Sequence, residues 1–242
     1  VASTLDLDDD TLGTDKVRFA GNGRGSVVNK GSITAAQGGY VALLGNTVSN
    51  QGSIRAQLGT VALGGGTAMT LTFADNHLMH LVVDANTVRS LVENRQLIVA
   101  NGGNVLMTAG ARNSLVASAV NNTGTVQAQT VQDRNGTITL LGGMEAGTVN
   151  VGGTLDASAP NGGNGGQIET SAAHFALATD AAVTSASAGG KGGTWLVDPV
   201  DLTIDSAAAN TIATTLNGGT NVIQQTTATG ASGIGNQSTG NG

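Results

Sequence analysis

Only three histidines are present, His77, His80 and His174. His77-Leu78-Met79-His80 is an H-x-x-H, which on a helix would set both rings on one face, as a metal pair needs. A third ligand would have to close the site, and Asp75 is the nearest carboxylate. Surface histidines in a segment outside the main pattern explain the same residues without an ion, and that is the expectation. The run Asp6-Leu7-Asp8-Asp9-Asp10 offers oxygens to a hard cation such as calcium, but a solvated loop explains it too. Asn161-Gly162-Gly163-Asn164-Gly165-Gly166-Gln167 has the glycines of the calcium-binding G-G-x-G-x-D nonapeptide and lacks its carboxylate. Asp198, Asp201 and Asp205 raise polysaccharide cleavage, which needs two carboxylates at a fixed separation. On a strand Asp201 and Asp205 only share a face, and solvent-facing positions are expected for all three.

The glycine motifs also fall short of chemistry. Gly21-Asn22-Gly23-Arg24-Gly25-Ser26 is not a G-x-G-x-x-G, and Lys191 in Ala188-Gly189-Gly190-Lys191-Gly192 is followed by Gly192, not by the Ser or Thr of a phosphate loop. No histidine is oriented toward a nucleophile as a Ser/His/Asp set requires. Asn121, Asn135 and Asn236 lie in N-x-[ST] sequons, which arise by chance in a chain this rich in Asn, Gly and Thr. The absence of Cys removes disulfides and thiolate chemistry together. A net charge of −6 argues against a nucleic-acid surface. The sequence therefore assigns no catalytic, cofactor-binding or metal residue, and the chain is expected not to be an enzyme.

What positions these residues is a repeat. Aromatics make up 2% and charged residues 11% of the chain, against 39% hydrophobic residues and 38 Gly. Small branched side chains build a thin core, which suits stacked sheets with glycine corners better than a layered α/β globule. The pattern V-x-N-x-G-x-[ILV]-x-A runs from Val27 to Ala35, Val48 to Ala56, Val92 to Ala100 (Gln96 in the glycine slot) and Val120 to Ala128. A weaker copy from Val149 to Ala157 has Val151 in place of Asn. Starts are spaced by 21 (27 to 48), 44 (48 to 92), 28 and 29, and Leu71-Thr72-Phe73 is expected to mark a degenerate turn inside the interval of 44.

A second pattern, G-x-[VIW]-x-[LMTV], follows each copy, at Gly39, Gly59, Gly103, Gly136, Gly166 and Gly193. Its alternation is that of a strand with one buried face. The gap between the patterns grows from Ala56–Val61 to Ala128–Ile138 and Ala157–Ile168, so insertions are confined to one corner, as in a solenoid. The frame of a leucine-rich repeat is missing, and a propeller would need longer blades. Inward positions are predicted at Val27, Ile33, Val41, Leu43, Ile54, Val61, Leu63, Ile98, Val105, Val126, Ile138, Leu140, Leu155, Ile168 and Trp195. Residues 73–94 break the rhythm. Val88, Leu91 and Val92 sit at helical spacing behind a cap at Asn86, so a short helix or an extra-helical excursion is expected there.

The order VASTLDL, GSVVNKGSITAAQGGYVALLGNTVSNQGSIRAQLGTVALGGG, LVENRQLI, VNNTGTV and GGTWLVDPVDLTID, spanning at least residues 1–205, resembles filamentous-haemagglutinin-like adhesins. These are the exported passengers of bacterial two-partner secretion. The resemblance implies an all-β, right-handed parallel β-helix (solenoid), a dedicated outer-membrane transporter as partner, and attachment, biofilm or cell-contact roles at the bacterial surface toward a host or bacterial receptor or glycan. The family's NPNL-like and NPNG-like motifs do not occur here. The expectation is that the chain begins within or just after the secretion domain, and no transporter-recognition residue is assigned. Taken together, residues 1–205 should form a rod within roughly ten coils of about 4.8 Å each, and residues 206–242 a further irregular coil or fraying end. Two other functions stay open: a filament subunit stacked end to end through homotypic contacts, and a carbohydrate-active β-helix.

Overall fold

The computed structural model describes residues 1–22, 24–75, 77–85, 90–110 and 118–227. Three short strands come first: β1 (Ala2–Ser3), β2 (Asp6–Leu7) and β3 (Lys16–Ala20). Coil one is β4 (Ser26–Asn29), β5 (Ser32–Thr34) and β6 (Tyr40–Gly45), and coil two is β7 (Thr47–Asn50), β8 (Ser53–Arg55) and β9 (Thr60–Gly65). A hairpin of β10 (Ala68–Ala74) and β11 (His77–Ala85) follows. Coil three is β12 (Ser90–Asn94), β13 (Leu97–Val99) and β14 (Asn104–Ala109), and coil four is β15 (Ser118–Asn122), β16 (Thr125–Gln127) and β17 (Thr137–Gly142). Coil five is β18 (Gly147–Val151), β19 (Thr154–Asp156) and β20 (Gln167–Ala172). Coil six is β21 (His174–Leu177), β22 (Ala182–Thr184) and β23 (Thr194–Pro199). Helix α1 (Ser206–Asn217) and β24 (Asn221–Gln224) complete the described chain.

Each coil places one strand in each of three parallel sheets. Sheet 1 runs β4-β7-β12-β15-β18-β21, sheet 2 runs β5-β8-β13-β16-β19-β22, and sheet 3 runs β1-β6-β9-β14-β17-β20-β23-β24. The molecule is a parallel β-helix, as the repeat predicts. Six complete coils are described rather than ten, because later coils lengthen and two segments leave the rod.

The registers equate the repeat copies residue for residue: Val48, Val92 and Val120 align in sheet 1, Ile54, Ile98 and Val126 in sheet 2, and Val61, Val105 and Ile138 in sheet 3. All the predicted inward residues lie in the interior, with Val27 and Ile33 half-exposed at the N-terminal end. Trp195 is fully buried near the other end, where its Nε1–H donates to Thr170 Oγ1 at 3.1 Å and its ring meets Phe175 edge-on.

The repeat's Asn forms a buried ladder. Asn29 Nδ2 donates to Asn50 Oδ1 at 2.8 Å, Asn50 to Asn94 at 2.8 Å, and Asn94 to Asn122 at 2.9 Å. Where Val151 replaces Asn, the Asn122 amide turns to the Gly152 carbonyl at 2.8 Å. The second pattern's glycine is a matter of close approach. A Cβ on Gly103 would collide with the Gly59 carbonyl, and one on Gly59 with that of Gly39. Beside this column the chain takes positive φ at Gly38 and Gly102, and Leu58 takes it at the same corner.

Three expectations meet different outcomes. Leu71-Thr72-Phe73 is not a degenerate coil: it lies in β10, which pairs antiparallel with β11 and β3 outside the rod. The excursion at 73–94 is real, but its described part is strand rather than helix. Leu91 and Val92 belong to β12, in register with Thr47 and Val48, while Asn86 and Val88 lie outside the described residues. Tertiary pairing overrides helical spacing there. Finally, of the two alternatives from Ser206 onward, the described residues form a further irregular coil rather than a fraying end. Asp205 caps α1 by accepting from the Ala208 N–H at 2.8 Å, and β24 then joins sheet 3 beside β23.

Candidate functional site

The chemistry-bearing residues singled out from sequence are not brought together. His77 and His80 lie on β11; the His77 Nδ1–H donates to the Gly38 carbonyl at 3.0 Å, and both rings are exposed. His174 opens β21, far along the rod. No group of three His, Cys, Asp or Glu side chains fit for a metal occurs among the described residues. Asp6 is in β2, Asp9 and Asp10 form a single 3-10 turn, and Asp8 lies 3.8 Å from Arg18.

The expectation for Asp198 was wrong. It faces outward from sheet 3 yet is fully buried, accepting from Thr227 Oγ1 at 2.8 Å and Gln225 Nε2 at 3.1 Å. The next coil's segment folds over it, which strand alternation alone does not reveal. Asp201 and Asp205 are exposed, but they share no strand: β23 ends at Pro199 and Asp205 caps α1. Among the sequons, Asn121 is half-buried and accepts from Asn150 Nδ2 at 2.6 Å, Asn135 is exposed, and Asn236 lies outside the described residues.

The constructed feature is a second layer. β11, β10, β3 and β2 form a four-stranded antiparallel sheet, the outer sheet, that packs on the outward face of sheet 3. Leu5, Phe19, Met69, Leu71, Leu78 and Leu81 close on Ala42, Leu44 and Ala62 in a second hydrophobic core. Tyr40 and Phe73 meet at its margin with ring centroids 5.2 Å apart. Sequence carries a trace of this layer: the outward slot of the second pattern holds Ala42, Ala62 and Leu106 in coils one to three, where a solvated face would hold polar residues.

Beyond the last strand of that layer the outward face of sheet 3 opens into a mostly apolar groove of 710 Å³. β11 forms one wall from Leu78 to Val82; Leu106, Thr137 and Thr139 form the floor, and Glu169 its far part. Burial pushes the Glu169 carboxyl above its ordinary value; Ser171 Oγ donates to it at 2.9 Å and partly offsets this, while the nearby Asp198 charge raises it further. Glu169 was missed because it reads as an ordinary outward residue of its strand. A second, more polar hollow of 580 Å³ lies over sheet 1. Its buried Glu93 is already engaged, accepting from Ser49 Oγ at 2.6 Å and pairing with Arg95 at 3.0 Å.

Comparison with known proteins places this architecture. The model of the family described as TPS secretion domain (two-partner secretion) matches residues 1–170. Among solved structures, the crystal structure of the HMW1 secretion domain from Haemophilus influenzae is similar, with a TM-score of 0.59 at 22% identity. The alignment covers 82% of this chain and 61% of that one, so the chain spans about three-fifths of the HMW1 domain. No curated protein matches. Of the two alternatives, within or just after the secretion domain, the first agrees with this match over residues 1–170. With its parallel coils and its match over most of its length, this chain belongs to the TPS secretion domain family and is part of an exported two-partner-secretion passenger.

Proposed function

We propose that this chain is a non-catalytic part of a bacterial surface adhesin, engaged during export by an outer-membrane transporter and serving attachment, biofilm formation or cell contact once outside. The observation that carries the reading is the family match over residues 1–170. The scatter of acidic and histidine residues supports a non-catalytic role over a carbohydrate-active one: their positions are set by strand pairing, capping and burial. End-to-end stacking has less support. α1 lies against β22, and Thr215 Oγ1 donates to the Val183 carbonyl at 3.0 Å, so the helix fills the place a further strand of sheet 2 would take.

Export is tested by co-expressing the chain, behind a periplasmic leader, with a two-partner transporter and assaying the medium. Appearance in the medium only when the transporter is present is expected. Equal amounts without it would remove the transporter from the proposal. Adhesion is tested on the producing bacterium, by comparing surface attachment before and after deletion of the gene for the parent protein. Unchanged attachment would remove the adhesive role and leave the export role standing.

A further inference from the structure

β11 is the last strand of the outer sheet and, among the described residues, pairs with β10 alone. It is nine residues long, His77 to Ala85. Natural edges are usually blunted by lysine, proline, shortness or a covering loop, because a row of free N–H and C=O groups recruits strands. β11 has no Lys and no Pro. Its register against β10 shifts twice, at Met79 and at Asp84, leaving Leu81–Val83 regularly paired between them, and Met79 and Val82 remain 48% and 39% exposed. This edge borders the groove whose floor is Leu106 and Thr139.

We propose that the free edge of β11 and the floor of sheet 3 form a docking groove for an extended, basic-apolar peptide strand of another protein, which adds as a fifth strand of the outer sheet with a lysine or arginine against Glu169.

Three features select this occupant. Backbone groups on an open edge are met by another extended backbone, whose alternate side chains then face the floor. The floor asks those side chains to be apolar: the outer sheet covers Ala42 and Ala62 and stops at β11, leaving Leu106 half-exposed where a fifth strand would bury it. Charge sets the remaining contact. Glu169 has no cation partner among the described residues, whose ion pairs are Arg18–Asp8 and Arg95–Glu93. Asp198 adds a second negative charge nearby. A bound cation would relieve the cost that burial imposes on Glu169. A second copy of this chain is a poorer match, because each copy carries a net −6 and its β11 brings neither Lys nor Arg to Glu169. The site stands apart from the export reading, since a chain can be exported with this groove empty.

The probe is a capped peptide of about nine residues, roughly 30 Å when extended, in which valine alternates with threonine and the central residue is lysine. A control has glutamate at the centre. Calorimetry with the whole chain should show the lysine peptide binding about tenfold more tightly than the control, and hydrogen exchange should slow along Met79–Val83. Glu169→Gln, which keeps the side-chain shape, should abolish the preference and leave the slowed exchange in place. Glu169→Lys should reverse the preference. Absence of binding, protection confined to other strands, or an unaltered preference in Glu169→Gln would overturn the proposal. So would a dimer in sedimentation whose β11 amides are protected without peptide, because the edge would then belong to a second copy.

Discussion

Single side chains in this molecule are governed by what lies one coil away. Gly103 shows it best: its φ is ordinary, and glycine is required because the Gly59 carbonyl occupies the space of a Cβ. Gly103→Ala should cost on the order of 3 kcal/mol through overpacking, whereas Gly189→Ala, whose Cβ would meet nothing nearer than 3.9 Å, should be close to neutral. Denaturant midpoints of the two variants check this. Glu169 allows a prediction with a sign. Its carboxyl is held above its ordinary value of 4.5, mainly by burial, so the folded chain binds its proton more tightly than the unfolded one. The stability this contributes is complete below pH 4.5 and is lost as pH rises through the raised value. Glu169→Gln should therefore gain in melting temperature relative to the parent as pH increases from about 4 to 7. Asp198, the Ser171 hydroxyl and the exposed His80 share this region, and a melting-temperature difference that does not change with pH would refute the assignment to Glu169.

At the level of strands, sequence was legible wherever one residue type repeats in one structural role. Ladder spacings of 21, 44 and 28 residues between Asn29, Asn50, Asn94 and Asn122 are the spacings of the repeat itself. Trp195 could be placed inside because it sits in the slot of Val61 and Val105. Illegible were the elements that occur once. The outer sheet pairs strands from two separate segments, β3 and β10, and no periodicity links them. Neither the groove nor Glu169 could be foreseen without that sheet. Helix α1 had a signal, Asp205 followed by an alanine-rich stretch and Gly218-Gly219, that composition masked. The register is checked by Ile54→Asp. It buries an uncompensated charge at a position with no exposure and should cost on the order of 4 kcal/mol or more. An unchanged thermal midpoint would refute the inward assignment.

For the whole molecule, coils touch mainly their neighbours, so stability is carried by successive interfaces and the two ends differ. Val27 and Ile33 are half-exposed at the N-terminal end, while α1 covers sheet 2 at the other. Ile212 on α1 packs on the core beneath it, and Thr215 and Thr220 hydrogen-bond to β22 and the residue after it. Ile212→Asp should loosen this cover and bare an open strand edge. Concentration-dependent association in sedimentation is the expected outcome, and a strictly monomeric variant would show that α1 does not guard the end.

The corner between sheets 2 and 3 collects the long loops of coils four to six, residues 128–136, 157–166 and 185–193. Because the loops leave the rod at one corner, their tips share a single line parallel to its axis. Probes attached at Asp133, Asn161 and Gly189 would ride on that line like marks on a scale, one coil, about 4.8 Å, between neighbouring anchor points. Separations measured between such labels would report axial strain in the rod: stretching would lengthen every interval together, and unwinding of a terminal coil only the last.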